Sequence, residues 1–202
     1  MHRNASWPVG GLIVLLLAGS LYAADQWPDY PVRAIGDYPN SMTTGGLTIA
    51  VEPLEDQKAQ KTHFNTEFGK KGFLPVLVVI QNASNSDSFL IAKDKITYGF
   101  ADGALSTPEA KSKAGSIVGG ASLAALSLGG AVFAMKLISN ATKVQQNILK
   151  KELQSNTLSP GASTHGFLYV PVPKEGSRAR LLLRFLVARV GSDETLSVEL
   201  QF

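Results

Sequence analysis

From Ala114 to Met135 the chain runs for 22 residues without a charge, held between Lys111/Lys113 and Lys136. A run of that kind must be covered, by protein or by lipid, so it limits the architecture more than any other stretch. Fourteen of its residues are Gly, Ala or Ser, and only Ile117, Val118, Leu123, Leu126, Leu128, Val132, Phe133 and Met135 are larger. At about 1.5 Å per residue a helix of this length is about 33 Å long, enough to cross a hydrocarbon core of about 30 Å. Gly115/Gly119 and Ala121/Ala125/Gly129 recur at steps of four, a flat stripe along which a second helix can approach closely. The pairs Gly119-Gly120 and Gly129-Gly130 act against one continuous rod, because each helical Gly costs up to about 1 kcal/mol relative to Ala. The segment is therefore one helix or a hairpin turning at Gly129-Gly130. Its candidate helix-packing or membrane-contact residues are Gly115, Gly119, Ala121, Ala125, Gly129 and Gly130.

Residues 1–24 read as a secretory signal: Arg3, an apolar core from Gly11 to Ala18, then Ala23 and Ala24 before Asp25. The alternative is an uncleaved N-terminal anchor, which the short apolar run disfavours. Leu17-Ala18-Gly19-Ser20 is similar to a lipobox, but Ser20 stands where the acylated cysteine is required. Residues 25–44, with Pro28, Pro31 and Pro39, read as an extended arm that Trp27, Tyr30 and Tyr38 dock on the domain.

After Gly45-Gly46, Leu47, Ile49 and Val51 alternate with smaller residues, the period-2 pattern of a half-buried strand. Pro53 to Phe68 reads as a short helix or irregular crossover with Pro53 in its first turn. Phe73 to Ile80 is the best strand, followed by a polar turn through Gln81–Asp87 and strand material at 89–92 and 96–100. Thr107-Pro108-Glu109 is a helix start. Leu137, Ala141, Val144, Ile148 and Leu153 extend a helical pattern to about Leu153. Strands resume at 167–170, 178–190 and 195–202, the last two joined by a hairpin at Gly191-Ser192-Asp193-Glu194.

About four strands thus precede the helical segment and three follow it, and neither set closes a core alone. The expectation is a mainly β chain. One antiparallel, immunoglobulin-like β-sandwich spans 45–202 and is interrupted at 107–153 by a long helix or helical hairpin. One sandwich and a single bilayer crossing at 114–135 exclude each other, since a crossing would separate the two halves. Packing on the chain's own domain or a partner, membrane contact without crossing, and a true span all remain open at this stage.

The chemistry of the residues argues against catalysis. There is no cysteine, which removes disulfides, thiolate nucleophiles and cysteine-ligated metals. His63 and His165 stand in no metal spacing, and no nucleophile elbow, phosphate loop or dinucleotide fingerprint occurs. The acidic groups Glu52/Glu55/Asp56 and Asp193/Glu194 read as surface residues. Asp87 and Asp94 would hold a cation only with partners the sequence does not reveal. No catalytic, cofactor-binding or metal residue is expected. A net charge of +3 from interspersed residues gives no reason to expect nucleic acid. Asn82-Ala83-Ser84 and Asn140-Ala141-Thr142 match the glycosylation acceptor pattern.

Ala50-Val51-Glu52-Pro53, Gly72-Phe73-Leu74-Pro75-Val76, Ile80-Gln81-Asn82, the Gly/Ala-rich run, Leu158-Ser159-Pro160-Gly161 and Gly166-Phe167-Leu168-Tyr169 occur in this order. The arrangement resembles uncharacterised bacterial envelope proteins and lipoproteins over most of 45–202. That resemblance implies an exported β-rich domain with a glycine-zipper-like insertion, and no catalytic residues. The expectation is a non-enzymatic periplasmic or cell-envelope protein, whose partners are an envelope protein, a membrane surface or further copies of itself. The alternative is a soluble periplasmic ligand-binding or accessory protein with its insertion packed on its own domain.

Overall fold

The computed structural model describes residues 27–100, 142–171 and 181–202. In chain order the elements are β1 (Ser41–Thr44), β2 (Leu47–Pro53), α1 (Gln57–Phe64), β3 (Phe73–Asn82), β4 (Phe89–Ile91), β5 (Ile96–Phe100), α2 (Thr142–Lys150), β6 (Asn156–Leu158), β7 (Ser163–Pro171), β8 (Leu181–Arg189) and β9 (Thr195–Gln201). The chain is mainly β, in two sheets of antiparallel strands.

The first sheet has the order β1-β2-β3-β7. In the second, β9 runs along one edge of β8 from Leu182 to Ala188. The other edge is shared by β5, opposite Leu181–Phe185, and β4, opposite Ala188 and Arg189, while β6 pairs beyond β4. Both sheets turn alternate side chains into one core: Leu47, Ile49 and Val51 of β2 and Val76, Val78 and Ile80 of β3 meet Phe89, Ile91, Leu183, Phe185, Val187 and Val198. Strands β8 and β9 show the expected alternation, with Leu181, Leu183, Phe185, Val187, Leu196, Val198 and Leu200 buried. Phe202 packs half-buried at the rim of this core and exchanges backbone hydrogen bonds with Leu181 at 2.9 and 3.1 Å.

Strand β3 is a continuous apolar run because both its faces are covered. Leu77 and Val79 point away from the second sheet into another cluster with Ala50, Phe64, Phe68, Val144, Ile148 and Phe167. Helices α1 and α2 thus roof the outer face of the first sheet. Full burial of a Phe or Ile side chain is worth about 2 to 3 kcal/mol, so Phe64, Phe68 and Ile148 account for much of this layer's attachment. Phe64 meets Phe68 and Phe167 edge-on at 5.2 and 4.9 Å between ring centroids, a geometry the ring quadrupoles favour.

Several expectations are revised. The stretch 25–44 is not all arm: Ser41–Thr44 forms β1, paired with Leu47–Ala50 across a Gly45-Gly46 turn in which both glycines have positive φ. Pro53 ends β2 rather than starting a helix. Helix α1 begins at Gln57, where the Asp56 carboxylate accepts a hydrogen bond from the Lys58 amide at 2.9 Å. The helix expected to reach Leu153 stops at Lys150 because the next residues join a strand: Glu152 bridges Phe167 in parallel, the Phe167 amide donates to the Lys151 carbonyl at 2.8 Å, and the Leu153 amide donates to the Phe167 carbonyl at 3.0 Å. A further revision is β6, a three-residue strand too short for periodicity to show. The helical expectation for 107–141, and the positions of Arg178 to Arg180, lie outside the described residues.

Candidate functional site

Gly115, Gly119, Ala121, Ala125, Gly129 and Gly130 lie outside the described residues, but both ends of their segment are placed. Strand β5 ends at Phe100, opposite Leu181 of β8, and the described chain resumes at Thr142 in α2, whose Val144 and Ile148 are buried on the first sheet. Strands from before the segment pair directly with strands from after it: β3 with β7 over Phe73–Gln81, and β4 and β5 with β8. A single bilayer crossing between Phe100 and Thr142 would put hydrogen-bonded neighbours on opposite sides of a membrane. The topology therefore excludes one crossing, or any odd number of them, between those two residues.

A well-connected polar group is Lys151, just past the end of α2. Its side chain is 6 % exposed and its ammonium lies over the Phe64 ring at 5.4 Å. The ammonium donates to the carbonyls of His63 at 2.7 Å, Pro28 at 2.8 Å and Trp27 at 3.4 Å, with the Asp29 carboxylate 3.9 Å away. One lysine so ties together the arm, the end of α1 and the end of α2. His63 Nδ1 is 3.0 Å from the same Pro28 carbonyl, and Tyr30 packs edge-on against His63 and Phe167. Burial raises the Tyr30 hydroxyl pKa, and the negative charge of Glu52 adds to the shift.

Beside this knot lies an open cavity of about 200 Å³, walled by Asp29, Tyr30 and Val32 of the arm, Lys150 and Lys151, and Leu77, His165, Gly166 and Phe167 of the sheet. Its volume suits a molecule of a few heavy atoms, about the size that fills an engineered benzene-binding cavity. The lining offers charge and an apolar floor.

A second polar cluster sits between the sheets. Lys93 and Glu152 pair at 3.0 Å with side chains 16 % and 7 % exposed, beside a void of about 30 Å³, room for one water, that Tyr98 and Tyr169 also line. Burial raises the pKa of both tyrosines. Tyr169 stands well above the usual range, with the Glu152 charge adding to burial, and its hydroxyl donates to the Ile148 carbonyl at 2.9 Å.

Four of the remaining sequence candidates hold structural contacts, while Asp94 and Asp193 are exposed. Glu52 pairs with Arg33, Asp56 caps α1, and Asp87 and Glu194 flank Arg189 at 3.7 and 3.1 Å. Among the described residues no group of three or more His, Asp or Glu is placed to hold a metal ion. The acceptor-pattern residue Asn82 is fully buried: its amide donates to the Asp87 and Leu158 carbonyls at 2.7 and 3.1 Å, and its oxygen accepts from the Ser84 amide and hydroxyl. That amide nitrogen is inaccessible to a glycan donor in the folded chain. Lys151 and the Lys93–Glu152 pair were not anticipated, because a lysine at a helix end reads as solvated and pairs remote in sequence carry no local signal.

No family model matches the chain, and no curated protein matches it. Among solved structures, the crystal structure of the yjhA protein from Bacillus subtilis is similar at a TM-score of 0.35 and 13 % identity, covering 73 % of this chain and 78 % of that one.

Proposed function

We propose that this chain is a non-enzymatic, exported cell-envelope protein, an interaction or structural module. In this reading its small-residue helical insertion touches a membrane without crossing it once, or brings copies together. The two sheets are read as an immunoglobulin-like sandwich and the insertion as a long helix or helical hairpin presented on one side. The observation that carries the reading is the placement of both ends of 101–141 on one interleaved pair of sheets. A chain that must leave and return on the same side suits a projecting contact element. Helix α2 belongs to the folded body through Val144 and Ile148, so a test must leave it intact.

The test expresses the full chain with its own leader and replaces Ala114–Met135 with a Gly/Ser linker of equal length in a second version. The native chain is expected to sediment with carbonate-washed membranes, or to self-associate, and the replaced chain to lose both while keeping its β-rich circular dichroism. Equal behaviour of the two chains refutes the proposal. A second reading, a soluble periplasmic ligand-binding or accessory protein, is favoured by the 200 Å³ cavity, and predicts a monomer in the soluble fraction from either version.

A further inference from the structure

Strand β9 is an outer strand of the second sheet, and no described residue pairs along its far side. Its register fixes which backbone groups are left over. Leu181 and Phe202 exchange hydrogen bonds at 2.9 and 3.1 Å. By the alternation of an antiparallel ladder, Leu196, Val198 and Leu200 therefore bond to β8, whereas the amides and carbonyls of Thr195, Ser197, Glu199 and Gln201 point away from it. All four of these residues are exposed. The edge thus presents a row of donors and acceptors repeating at about 6.8 Å, a pattern that another extended main chain matches.

Other outer strands offer less. β1 and β6 have four and three residues, and residues 151–153 bond along β7. Strand β9 keeps its alternation of buried and exposed residues through all seven of its positions, with no proline or lysine to blunt the edge. Its one charge, Glu199, is held against the neighbouring strand by Arg184, whose Nε donates to the carboxylate at 2.6 Å. Strand β1 of the facing sheet flanks this edge, and a Cβ added at Gly45, in the turn after β1, would lie 3.1 Å from the Leu196 Cδ1. Met42 of β1 lies opposite Ile49 and so points toward the second sheet, yet it is 42 % exposed. A strand added to β9 would lay its inward side chains beside that methionine.

We propose that β9 accepts an extended segment of another protein as a further strand of the second sheet. Alternate apolar side chains of that segment turn in toward Met42, and its polar ones lie beside Ser197 and Glu199. A single strand is the occupant, rather than a second copy of this chain, because a second copy would bring its own β1 against the β1 that flanks the edge. The contact lies outside the insertion, so it goes beyond the reading above and does not rest on it.

The probe is a fluorescein-labelled peptide in which valine alternates with threonine between terminal lysines, and its binding to the full chain is followed by anisotropy. Its threonines lie opposite the exposed residues of β9 and exchange the hydrogen bonds, while its valine amides point away. Binding is expected with a Kd below about 1 mM. Methylating the threonine amide nitrogens should weaken it at least about tenfold, and methylating the valine amides less than about twofold. Ser197→Pro removes a donor that β8 does not use, and should weaken binding at least about tenfold while the β-rich circular dichroism is kept. Replacing 114–135 with a Gly/Ser linker should leave binding unchanged. No binding at about 1 mM, equal effects of the two methylations, or undiminished binding by Ser197→Pro overturns the proposal. So does a loss of binding when 114–135 are replaced, which would move the site to the insertion, or a native dimer that Ser197→Pro dissociates, which would assign the edge to a second copy.

Discussion

Gly166 sits in the middle of β7, opposite Val78 of β3, with ordinary strand geometry. A methyl group added there would lie 2.4 Å from the Leu153 Cα, 2.5 Å from the Leu153 nitrogen and 2.9 Å from the Glu152 carbonyl carbon. All three are main-chain atoms, which cannot swing aside as a flexible side chain can. Relief requires β7 and residues 151–153 to separate, and the hydrogen bonds that join them at Phe167, 2.8 and 3.0 Å long, are the first to go. Two backbone hydrogen bonds are worth about 1 kcal/mol each, and overpacking a close contact adds about 1 to 3 kcal/mol. Gly166→Ala is therefore expected to destabilise by about 3 kcal/mol, against the about 0.5 to 1 kcal/mol by which Gly→Ala stabilises where there is room. Urea unfolding followed by tryptophan fluorescence reads this as a lower midpoint at unchanged slope, and a melt as a drop of about 6 to 12 °C. Gly36 has nothing within 4 Å of its added carbon, so Gly36→Ala is the control and should change little. A Gly166→Ala loss below about 1 kcal/mol would refute the close-approach argument.

Lys151→Met keeps an apolar side chain of similar length but removes the ammonium over Phe64 and its three donated hydrogen bonds. It is expected to cost about 2 kcal/mol and to make the bonds between residues 27 and 38 susceptible to limited proteolysis, with the sheets intact. Unchanged cleavage would show that the aromatic contacts alone hold the arm. Tyr169 has a folded pKa raised above its unfolded value, so its contribution is fully present below about pH 10 and is lost as pH rises beyond that, because the unfolded chain releases the proton first. Tyr169→Phe should lower stability by about 1 kcal/mol at neutral pH, through the lost bond to Ile148, and flatten the alkaline decline. An alkaline limb identical to the native one would assign that decline to other groups.

Much of the framework was legible because short-range rules govern it. Alternation in β2, β8 and β9 follows from one buried face per strand, and the 191–194 hairpin from its turn residues. Phe73–Ile80 was legible as a strand from its unbroken apolar, β-branched run, whereas the covering of both its faces came from the structure. The absence of cysteine and of recognised catalytic spacings likewise needed no structure to read.

What the tertiary structure decided are the pairings between residues remote in the chain. A three-residue β6 owes its existence to β4, which supplies its hydrogen bonds, and the end of α2 at Lys150 to β7, which takes over residues 151–153. Lys151 becomes a buried clamp only because two helix ends and the arm bring three carbonyls to one point. The exclusion of a single crossing comes from β3 pairing with β7 and β5 with β8. Composition and periodicity are local quantities, whereas the sidedness of an insertion belongs to the sheets that close around its ends.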